Sequence, residues 1–175
     1  MRIVAGKWAD TALVSPAGRV RPTSEGLRVL SMELIADEIA DARVLDLFAG
    51  TGALGLEALS RGARSCDFVE NHPSALHALK ANVAKVRAPG RTRIFKRDGI
   101  PFVERLPAGA YDLAFADPPY QSRKLDRVLA RWLAAPFSPT LVVEHAADRI
   151  LPARGVSRRL EDSVVTVLRA RTSDR

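Results

Sequence analysis

Short apolar runs alternate with helix-forming segments through the middle of the chain, and this order restricts the fold more than any other feature. The apolar runs cover residues 43–48, 65–70, 92–96, 111–116 and 140–145, and helical segments separate them at 53–61, 73–86, 100–106 and 122–134. Strands that alternate with helices of about ten residues form βαβ units. Because the crossovers of such units are right-handed, the strands should lie parallel in one sheet with helices on both faces.

Further segments flank this central pattern. Residues 2–14 predict a short hairpin or pair of strands, and residues 24–40 have the apolar spacing of a helix. Near the other end, two strand-like runs at 154–160 and 164–168 are separated by a turn at 161–163, which predicts an antiparallel hairpin at the sheet edge. We therefore expect a doubly wound, mostly parallel α/β fold with an antiparallel C-terminal hairpin and a small N-terminal hairpin and helix extension.

Composition bounds the number of domains and the cellular setting. The 175 residues, 47% of them hydrophobic, suffice for one domain with a sizeable core. We expect a single domain over 1–175, in which residues 1–40 extend a core formed by residues 41–175. No apolar run approaches the ~18 residues of a membrane span, and the lone Cys66 has no partner for an internal disulfide. These features predict a cytoplasmic, monomeric protein without a membrane partner.

The positive charge is concentrated at the two ends of the chain. Residues 1–28 carry five basic and two acidic side chains, residues 149–175 carry seven and three, and the rest sum to zero within a net charge of +7. Ordinary solubilising charge is one explanation. The other is a rim that binds a polyanion, because basic side chains gain affinity by releasing counterions from phosphates.

A glycine loop follows the first apolar run. Gly50-Thr-Gly-Ala-Leu-Gly55 has the strand–turn–helix setting of dinucleotide-binding loops, whose glycines let the backbone approach a ligand closely. Glu70 ends the next strand about twenty residues beyond the loop, where a carboxylate can accept hydrogen bonds from ribose hydroxyls. Nicotinamide enzymes and S-adenosylmethionine enzymes share both parts.

Acidic residues distinguish these two ligand classes. Asp46, at the end of the first run, would repel a pyrophosphate but suits the ammonium and sulfonium charges of S-adenosylmethionine; its structural alternative is a partner of the following helix dipole. Asp98 ends the third run, where it would accept a bond from an adenine amine or simply begin a turn with Gly99. With Glu70, acids stand at three successive strand ends. This arrangement favours S-adenosylmethionine as the cofactor and opposes a nicotinamide oxidoreductase.

The tetrapeptide Asp117-Pro-Pro-Tyr120 follows the fourth apolar run directly. Pro118 and Pro119 cannot continue a central strand, since proline fixes φ and lacks an N–H donor. The result is a stiff ledge that carries a carboxylate, bare carbonyl groups and a flat ring. Such a ledge suits a planar group that bears an amine, such as a nucleobase.

With these motifs the chain resembles the S-adenosylmethionine-dependent methyltransferases of Rossmann-like fold, and among them the RsmD type, which methylates guanine N2 in 16S ribosomal RNA. Three groups of segments carry the resemblance, and together they extend over nearly the whole chain. They are Met1–Trp8 with Arg21–Thr23, Val44–Ala63 with Phe68–Glu70, and Asp117–Tyr120 with Val142–His145.

The resemblance implies a seven-stranded sheet, a reaction and its residues. Asp117 and the Pro118 carbonyl would hold the hydrogens of the exocyclic amine so that its lone pair faces the methyl donor, while Tyr120 stacks on the base. The partner would be ribosomal RNA or a small-subunit assembly particle. The expected catalytic residues are Asp117, Pro118, Pro119 and Tyr120. The residues expected at the cofactor are Asp46, Phe48, Ala49, Gly50, Thr51, Gly52, Glu70, Asn71, Asp98 and Gly99. Those expected on RNA, which the basic N-terminal end also favours, are Arg2, Lys7, Arg19, Arg21 and Thr23.

Three positions depart from the pattern of that family. Gly26 stands where arginine is common, Val29 where glutamate is common, and Leu160 begins a segment where Tyr-Gly-Asp-Thr is expected. These departures leave the expected cofactor residues intact and concern the substrate side.

Other functions are compatible with the same residues. The tetrapeptide would also serve an adenine-N6 or another amino methyltransferase acting on nucleic acid or protein. A non-catalytic RNA-binding relative would keep the same fold. His72, His77 and His145 lack metal-ligand spacing, so no metal site is expected.

Overall fold

The computed structural model describes residues 1–16, 24–120 and 122–170. Its strands are β1 (Arg43–Leu47), β2 (Ser65–Glu70), β3 (Thr92–Lys96), β4 (Leu113–Ala116), β5 (Thr140–Ala146), β6 (Val156–Leu160) and β7 (Ser163–Arg169). Its helices are α1 (Glu25–Leu34), α2 (Ala36–Ile39), α3 (Ala53–Ser60), α4 (Pro73–Lys85), α5 (Gly99–Glu104) and α6 (Lys124–Ala134). No helix in these parts of the chain is both long enough and apolar enough to cross a membrane.

The strands form one mixed sheet in the order β3-β2-β1-β4-β5-β7-β6. β1 to β5 pair with one another in parallel, and β7 pairs antiparallel with both β5 and β6. The predicted α/β fold, a mostly parallel seven-stranded sheet with an antiparallel C-terminal hairpin, is confirmed. Because the chain leaves β1 for β2 on one side and β4 lies on the other, a crevice opens between β1 and β4 at their carboxyl ends.

Alternation along the strands sends side chains into two apolar layers. Val44 and Phe115 belong to the layer that packs against α1, α3 and α4, whereas Leu45 and Ala114 belong to the layer under α5 and α6. β4 and β5 are buried over almost their whole length, as central parallel strands covered on both faces should be. This packing holds the carboxyl ends of the central strands in fixed positions.

The N-terminal segment pairs with itself as the predicted hairpin would, but its described residues form no regular strand. Arg2 and Ala12 form one isolated antiparallel bridge, flanked by backbone hydrogen bonds that join Met1 and Ile3 to residues 10–13. The Glu57 carboxylate of α3 accepts the amides of Val4 and Ala5 at 2.8 and 3.0 Å. Side chains of α3 thus supply hydrogen-bond partners for the amides that lie between the two paired arms.

The helix predicted over 24–40 is divided into two. α1 ends at Leu34, and Ile35 leaves the helical region with a φ of −123° before α2 begins. Arg169 of β7 donates hydrogen bonds to the Leu34 carbonyl and to the Glu38 carboxylate, so the chain bends around the end of this strand. The bounds of the other predicted strands and helices differ from the observed ones by two residues at most.

Candidate active site

A cavity of about 760 Å³ opens at the carboxyl ends of the parallel strands, beside the crevice between β1 and β4. Its volume lies within the range of small-ligand and cofactor sites. Among the described residues, four carboxylates and one ammonium group line it, so its charge favours a cationic ligand. The acids are Asp46, Glu70, Asp117 and Glu144, and the ammonium belongs to Lys124.

The glycine loop forms the turn between β1 and α3. Gly50 and Gly52 both have positive φ, at 57° and 79°. Gly52 is the N-cap of α3, and a Cβ there would lie only 2.5 Å from Leu79, so glycine is required for conformation and for packing. The loop presents Ala49, Gly50 and Thr51 to the cavity, whereas Gly52 packs beneath it.

Asp46 both caps a helix and lines the cavity. Its Oδ2 accepts the Gly55 amide of α3 at 3.0 Å, and its side chain reaches the cavity wall although the residue is only 2% exposed. Burial raises the pKa of this carboxyl well above its usual range; the Gly55 amide opposes that rise, and the charges of Asp117 and Glu70 add to it. A cationic group bound nearby would favour the ionised form.

Glu70 ties the ends of β1 and β2 together. Its Oε2 accepts the Gly50 amide, and its Oε1 accepts the amides of Asn71 and His72, all at 2.8 Å. Glu70, Asn71 and His72 also line the cavity. Since each carboxylate oxygen can accept two hydrogen bonds, Oε2 keeps capacity for a ligand hydroxyl.

A ring and a cation cover the side of the cavity next to β3. Phe48, with a φ of 59°, turns the chain out of β1, and its ring lies against Gly99, where a Cβ would be 2.7 Å away. Lys124 Nζ lies 5.3 Å from the centre of the Phe48 ring and 2.9 Å from Asp98 Oδ2. Asp98 also accepts the Ile100 amide of α5, which is the main reason that the pKa of its carboxyl is lowered. Asp98 therefore lies behind Lys124, not among the described residues of the cavity wall.

The Asp117–Tyr120 tetrapeptide forms a ledge at the end of β4, and all four of its residues line the cavity. The Pro119 carbonyl accepts the backbone amide and the hydroxyl of Ser122. In the described ranges no residue donates to the Pro118 carbonyl. The Asp117 carboxylate and the Pro118 carbonyl are thus the acceptors that the ledge offers to an amine.

Tyr120 is anchored through its hydroxyl group. This hydroxyl donates to Glu144 Oε1 at 2.7 Å and lies 2.6 Å from Ser163 Oγ. Burial, together with the hydrogen bond to Glu144, raises the pKa of Tyr120 to about 12, so the hydroxyl stays protonated at neutral pH. Anchoring at one end restricts the orientation of the ring, which suits a surface on which a base can stack.

The N-terminal segment completes one wall of the cavity with Ser15 and Pro16. Asn82 of α4, which is fully buried, holds the residue that precedes them. Its Oδ1 accepts the Val14 amide at 2.7 Å, and its Nδ2 donates to the carbonyls of Val14 and Thr51 at 3.0 and 2.9 Å. One side chain therefore couples this wall to the glycine loop.

Of the residues predicted to contact RNA, Arg2 and Lys7 lie among the described residues. Arg2 lies near the glycine loop, because Met1 Sδ is 3.7 Å from Thr51 Oγ1, but ion pairs with two acidic neighbours offset its charge. Lys7 donates its amide to the carbonyl of Ser60, the last residue of α3. That position is roughly 12 Å along the helix from the loop. Arg19, Arg21 and Thr23 lie outside the described residues.

Among the cavity residues that were not predicted as site residues are Ser15, Pro16, Lys124 and Glu144. Glu144 had a signal in the sequence, since it closes an apolar run much as Asp117 does. The other three depend on tertiary contacts. His145 bonds to the Ala146 carbonyl and to the Thr166 hydroxyl, so its ring nitrogens face β7. Within the described ranges there is no group of three or more side chains suited to hold a metal ion.

Comparison with known proteins identifies a family whose sequence pattern matches most of this chain. The family described as Conserved hypothetical protein 95 matches residues 1–153. Ribosomal RNA small subunit methyltransferase D of Escherichia coli K12 is 33% identical over 158 residues, which cover 87% of this chain and 78% of that protein. The protein of the same name from Haemophilus influenzae is 28% identical over 133 residues, which cover 74% of this chain and 69% of that protein.

Solved structures share the fold over nearly the whole chain. A hypothetical protein of Thermus thermophilus superposes with a TM-score of 0.82 at 30% identity, covering 97% of this chain and 99% of that one. The Escherichia coli protein yhhF superposes with a TM-score of 0.81 at 28% identity, covering 95% and 96%. With its glycine loop, acidic strand ends and Asp-Pro-Pro-Tyr ledge in one cavity, the chain belongs to the Conserved hypothetical protein 95 family, the RsmD-type methyltransferases.

Proposed function

We propose that this protein is an S-adenosylmethionine-dependent methyltransferase that acts on guanine N2 in small-subunit ribosomal RNA. The observation that supports this most strongly is that Asp117 and Pro118 of the ledge share one cavity with Asp46, Glu70 and the glycine loop. An amine-holding ledge and a site for a cationic ligand are the two parts that amino methylation needs. The relatives named ribosomal RNA small subunit methyltransferase D support ribosomal RNA as the substrate polymer.

The cavity residues fit S-adenosylmethionine by charge. When bound, this cofactor supplies a methyl group on a cationic sulfur. Asp46 would pair with its ammonium group, and Glu70 would accept from its ribose. Asp98 would accept from its adenine amine once Lys124 shares or leaves that carboxylate. A dinucleotide fits less well, because its pyrophosphate would meet the excess of carboxylates in the wall.

The ledge would prepare the amine for methylation. An aromatic exocyclic amine is a poor nucleophile because its lone pair is delocalised into the ring. Asp117 and the Pro118 carbonyl would accept its two hydrogens and hold the nitrogen closer to tetrahedral. Tyr120 would stack on the base, a contact worth about 1–3 kcal/mol. The nitrogen would carry a positive charge once the methyl group has left the sulfur, which keeps the electron pair of the broken S–C bond, and Asp117 would take the extra proton of the nitrogen and pass it to water. Positioning of the amine would be the main contribution of the ledge to catalysis.

The base must leave its stack to reach the ledge, at a cost of a few kcal/mol that an exposed RNA loop lowers. We propose that Arg2, Arg19, Arg21 and Thr23 contact RNA. Lys7 would meet only a part of the RNA that extends along α3, since its amide is bonded to Ser60 at the far end of that helix.

Methylation in vitro tests this function. The purified protein is incubated with methyl-labelled S-adenosylmethionine and either free 16S ribosomal RNA or small subunits from a strain that lacks the gene. The RNA is then digested to nucleosides for mass spectrometry. We expect N2-methylguanosine, and none with the Asp117→Ala variant. N6-methyladenosine would instead support an adenine methyltransferase. No product together with no calorimetric binding of S-adenosylmethionine would support a non-catalytic relative.

A further inference from the structure

One buried carboxylate oxygen beside the ledge has no hydrogen-bond donor. Glu144, near the end of β5, is 8% exposed, and its Oε1 accepts the Tyr120 hydroxyl at 2.7 Å. Its Oε2 is buried and accepts no hydrogen bond from any residue that the structure describes. An unpaired buried acceptor destabilises the folded protein, and more so when it is charged. A donor that arrives with the substrate would remove this cost.

Glu144 lies level with Asp117 on the neighbouring strand. Ala116 of β4 is paired with Val143 of β5, so the next residue of each strand, Asp117 and Glu144, stand side by side, with about 4.8 Å between the strands. The residues two positions earlier, Phe115 and Val142, lie in the same apolar layer. By alternation, both acids therefore point to one face of the sheet, and both line the same cavity.

We propose that Glu144 selects guanine, its Oε2 accepting the N1–H of the base while Asp117 and the Pro118 carbonyl hold the adjacent 2-amine. This role rests on the proposed function. In guanine the amine to be methylated is next to a ring N–H donor, whereas in adenine the exocyclic amine is next to a ring nitrogen with a lone pair. A carboxylate facing that lone pair would be repelled and left unpaired. Sites built to bond an N–H discriminate strongly against analogues that lack it.

The contacts of Glu144 direct the free oxygen. Tyr120 holds Oε1, and Ser163 in turn bonds the Tyr120 hydroxyl, so the carboxylate has one fixed orientation. Oε2 is buried, which limits competition from bulk water, and the base would reach it from the cavity that Glu144 and Tyr120 both line. The rival explanation is that Glu144 only anchors Tyr120 and that one water fills a cavity of about 10 Å³ behind the ledge.

The two explanations for Glu144 can be distinguished by changing N1 of the base from a donor to an acceptor and the side chain at position 144 from an acceptor to a donor. Small-subunit RNA is ligated around a synthetic segment that carries guanosine or 2-aminopurine at the methylated position, and is used free and after reconstitution with ribosomal proteins. 2-Aminopurine keeps the 2-amine but has a lone pair at N1. The variant is Glu144→Gln, whose amide oxygen still accepts from Tyr120 while its NH₂ group replaces Oε2 and donates to that lone pair.

For the unsubstituted protein we expect kcat/KM to be at least about 100-fold higher for guanine than for 2-aminopurine. In Glu144→Gln, kcat/KM for guanine should fall about 10- to 100-fold. The ratio of kcat/KM for guanine to kcat/KM for 2-aminopurine should fall by at least tenfold. Fluorescence of 2-aminopurine gives a readout independent of turnover. RNA carrying it should bind the Gln variant more tightly than the unsubstituted protein.

Ser163→Ala is the matched control, because it removes the other partner of the Tyr120 hydroxyl and leaves Glu144 in place. If Glu144 only anchors Tyr120, each variant should lower kcat/KM for guanine and for 2-aminopurine by the same factor, so that the ratio of the two values stays unchanged. That result would overturn the proposal. The proposed function fails separately. It fails if the unsubstituted protein forms no N2-methylguanosine, whereas the role of Glu144 fails if guanine is methylated and the substitution leaves the preference unaltered.

Discussion

A methyl carbon of Leu160 fills the space in which a side chain on Gly26 would begin: its Cδ2 lies 2.7 Å from the position of a Cβ on that glycine. Gly26 is in the first turn of α1, and Leu160 ends β6. Both are positions at which the chain departs from the family pattern. The two departures therefore belong to one contact, which lies near the ledge because Ser163, just after Leu160, bonds to Tyr120.

This contact predicts that the effect of Gly26→Ala depends on Leu160. Alanine favours a helix over glycine by about 1 kcal/mol, but its methyl group would press on Leu160 and offset that gain. In a Leu160→Ala background the gain should be recovered, with a coupling free energy of roughly 0.5–3 kcal/mol. Urea unfolding of the four proteins measures it. Additive effects within about 0.5 kcal/mol would show that Leu160 moves aside freely.

Asp117→Ala should separate catalysis from cofactor binding. We expect kcat/KM for methylation to fall by roughly 10²–10³-fold or more, as for the loss of one preorganised hydrogen-bonding group in an active site, while the Kd for S-adenosylmethionine stays within a few-fold. Asp112→Ala is the control, because Asp112 lies at the opposite end of β4 and pairs with Arg43. Near-full turnover by Asp117→Ala would contradict the mechanism.

Asp46→Asn should raise the stability of the unliganded protein and weaken cofactor binding. Because the folded-state pKa of Asp46 is raised by burial, the folded protein holds a proton that the unfolded chain has released. The free energy of unfolding should then fall as pH rises from the unfolded pKa, about 3.9, to the folded one. Asparagine still accepts from Gly55 but removes this fall.

Thermal unfolding across pH and calorimetry measure the two effects of Asp46→Asn. The melting temperature at neutral pH should rise, and the Kd for S-adenosylmethionine should increase about 10- to 100-fold, as expected for loss of a charged hydrogen bond. Unchanged or tighter binding of S-adenosylmethionine by the variant would show that the proposed pairing of Asp46 with a cationic group is wrong.

Asn82→Ala should destabilise the protein by about 2–4 kcal/mol, since it removes the hydrogen bonds of the buried Thr51 carbonyl and of the partly buried N–H and carbonyl of Val14. It should also raise the Kd for S-adenosylmethionine by loosening the glycine loop. Lys85→Ala provides the comparison, because Lys85 bonds the Ala12 carbonyl from the same helix but at an exposed site. Urea unfolding should show that Lys85→Ala lowers the free energy of unfolding by less than about 1 kcal/mol. Equal losses in both variants would argue against a special role for Asn82.

The features of the site that were predictable are those encoded locally. Apolar runs ending in an acid, such as the run before Asp117, mark buried parallel strands, and parallel strands bring their carboxyl ends to one edge. Asp46, Glu70 and Asp117 could therefore be assigned to one site from their positions in the sequence. The glycine loop was equally readable, because its conformation is set by its own residues.

The features that were not predictable depend on partners distant in the chain. Glu57 and Asn82 look like ordinary helix residues, yet they bind the N-terminal segment. At the break at Ile35, the Leu34 carbonyl accepts a hydrogen bond from Arg169, more than a hundred residues later. The position of Glu144 level with Asp117 needed the register of β4 against β5, which no local pattern contains.

The three hydrogen bonds that Glu70 accepts from backbone amides affect which metabolites can compete for the cavity. In Rossmann-type loops the free amides of the glycine turn are what a diphosphate binds. Here the Gly50 amide already points at a carboxylate, and the negative charge stands where phosphate oxygens would sit. Adenine nucleotides such as ATP and NAD, although abundant in cells, should therefore be poor inhibitors. The same carboxylate that joins two strand ends would let the protein work undisturbed by the nucleotides around it.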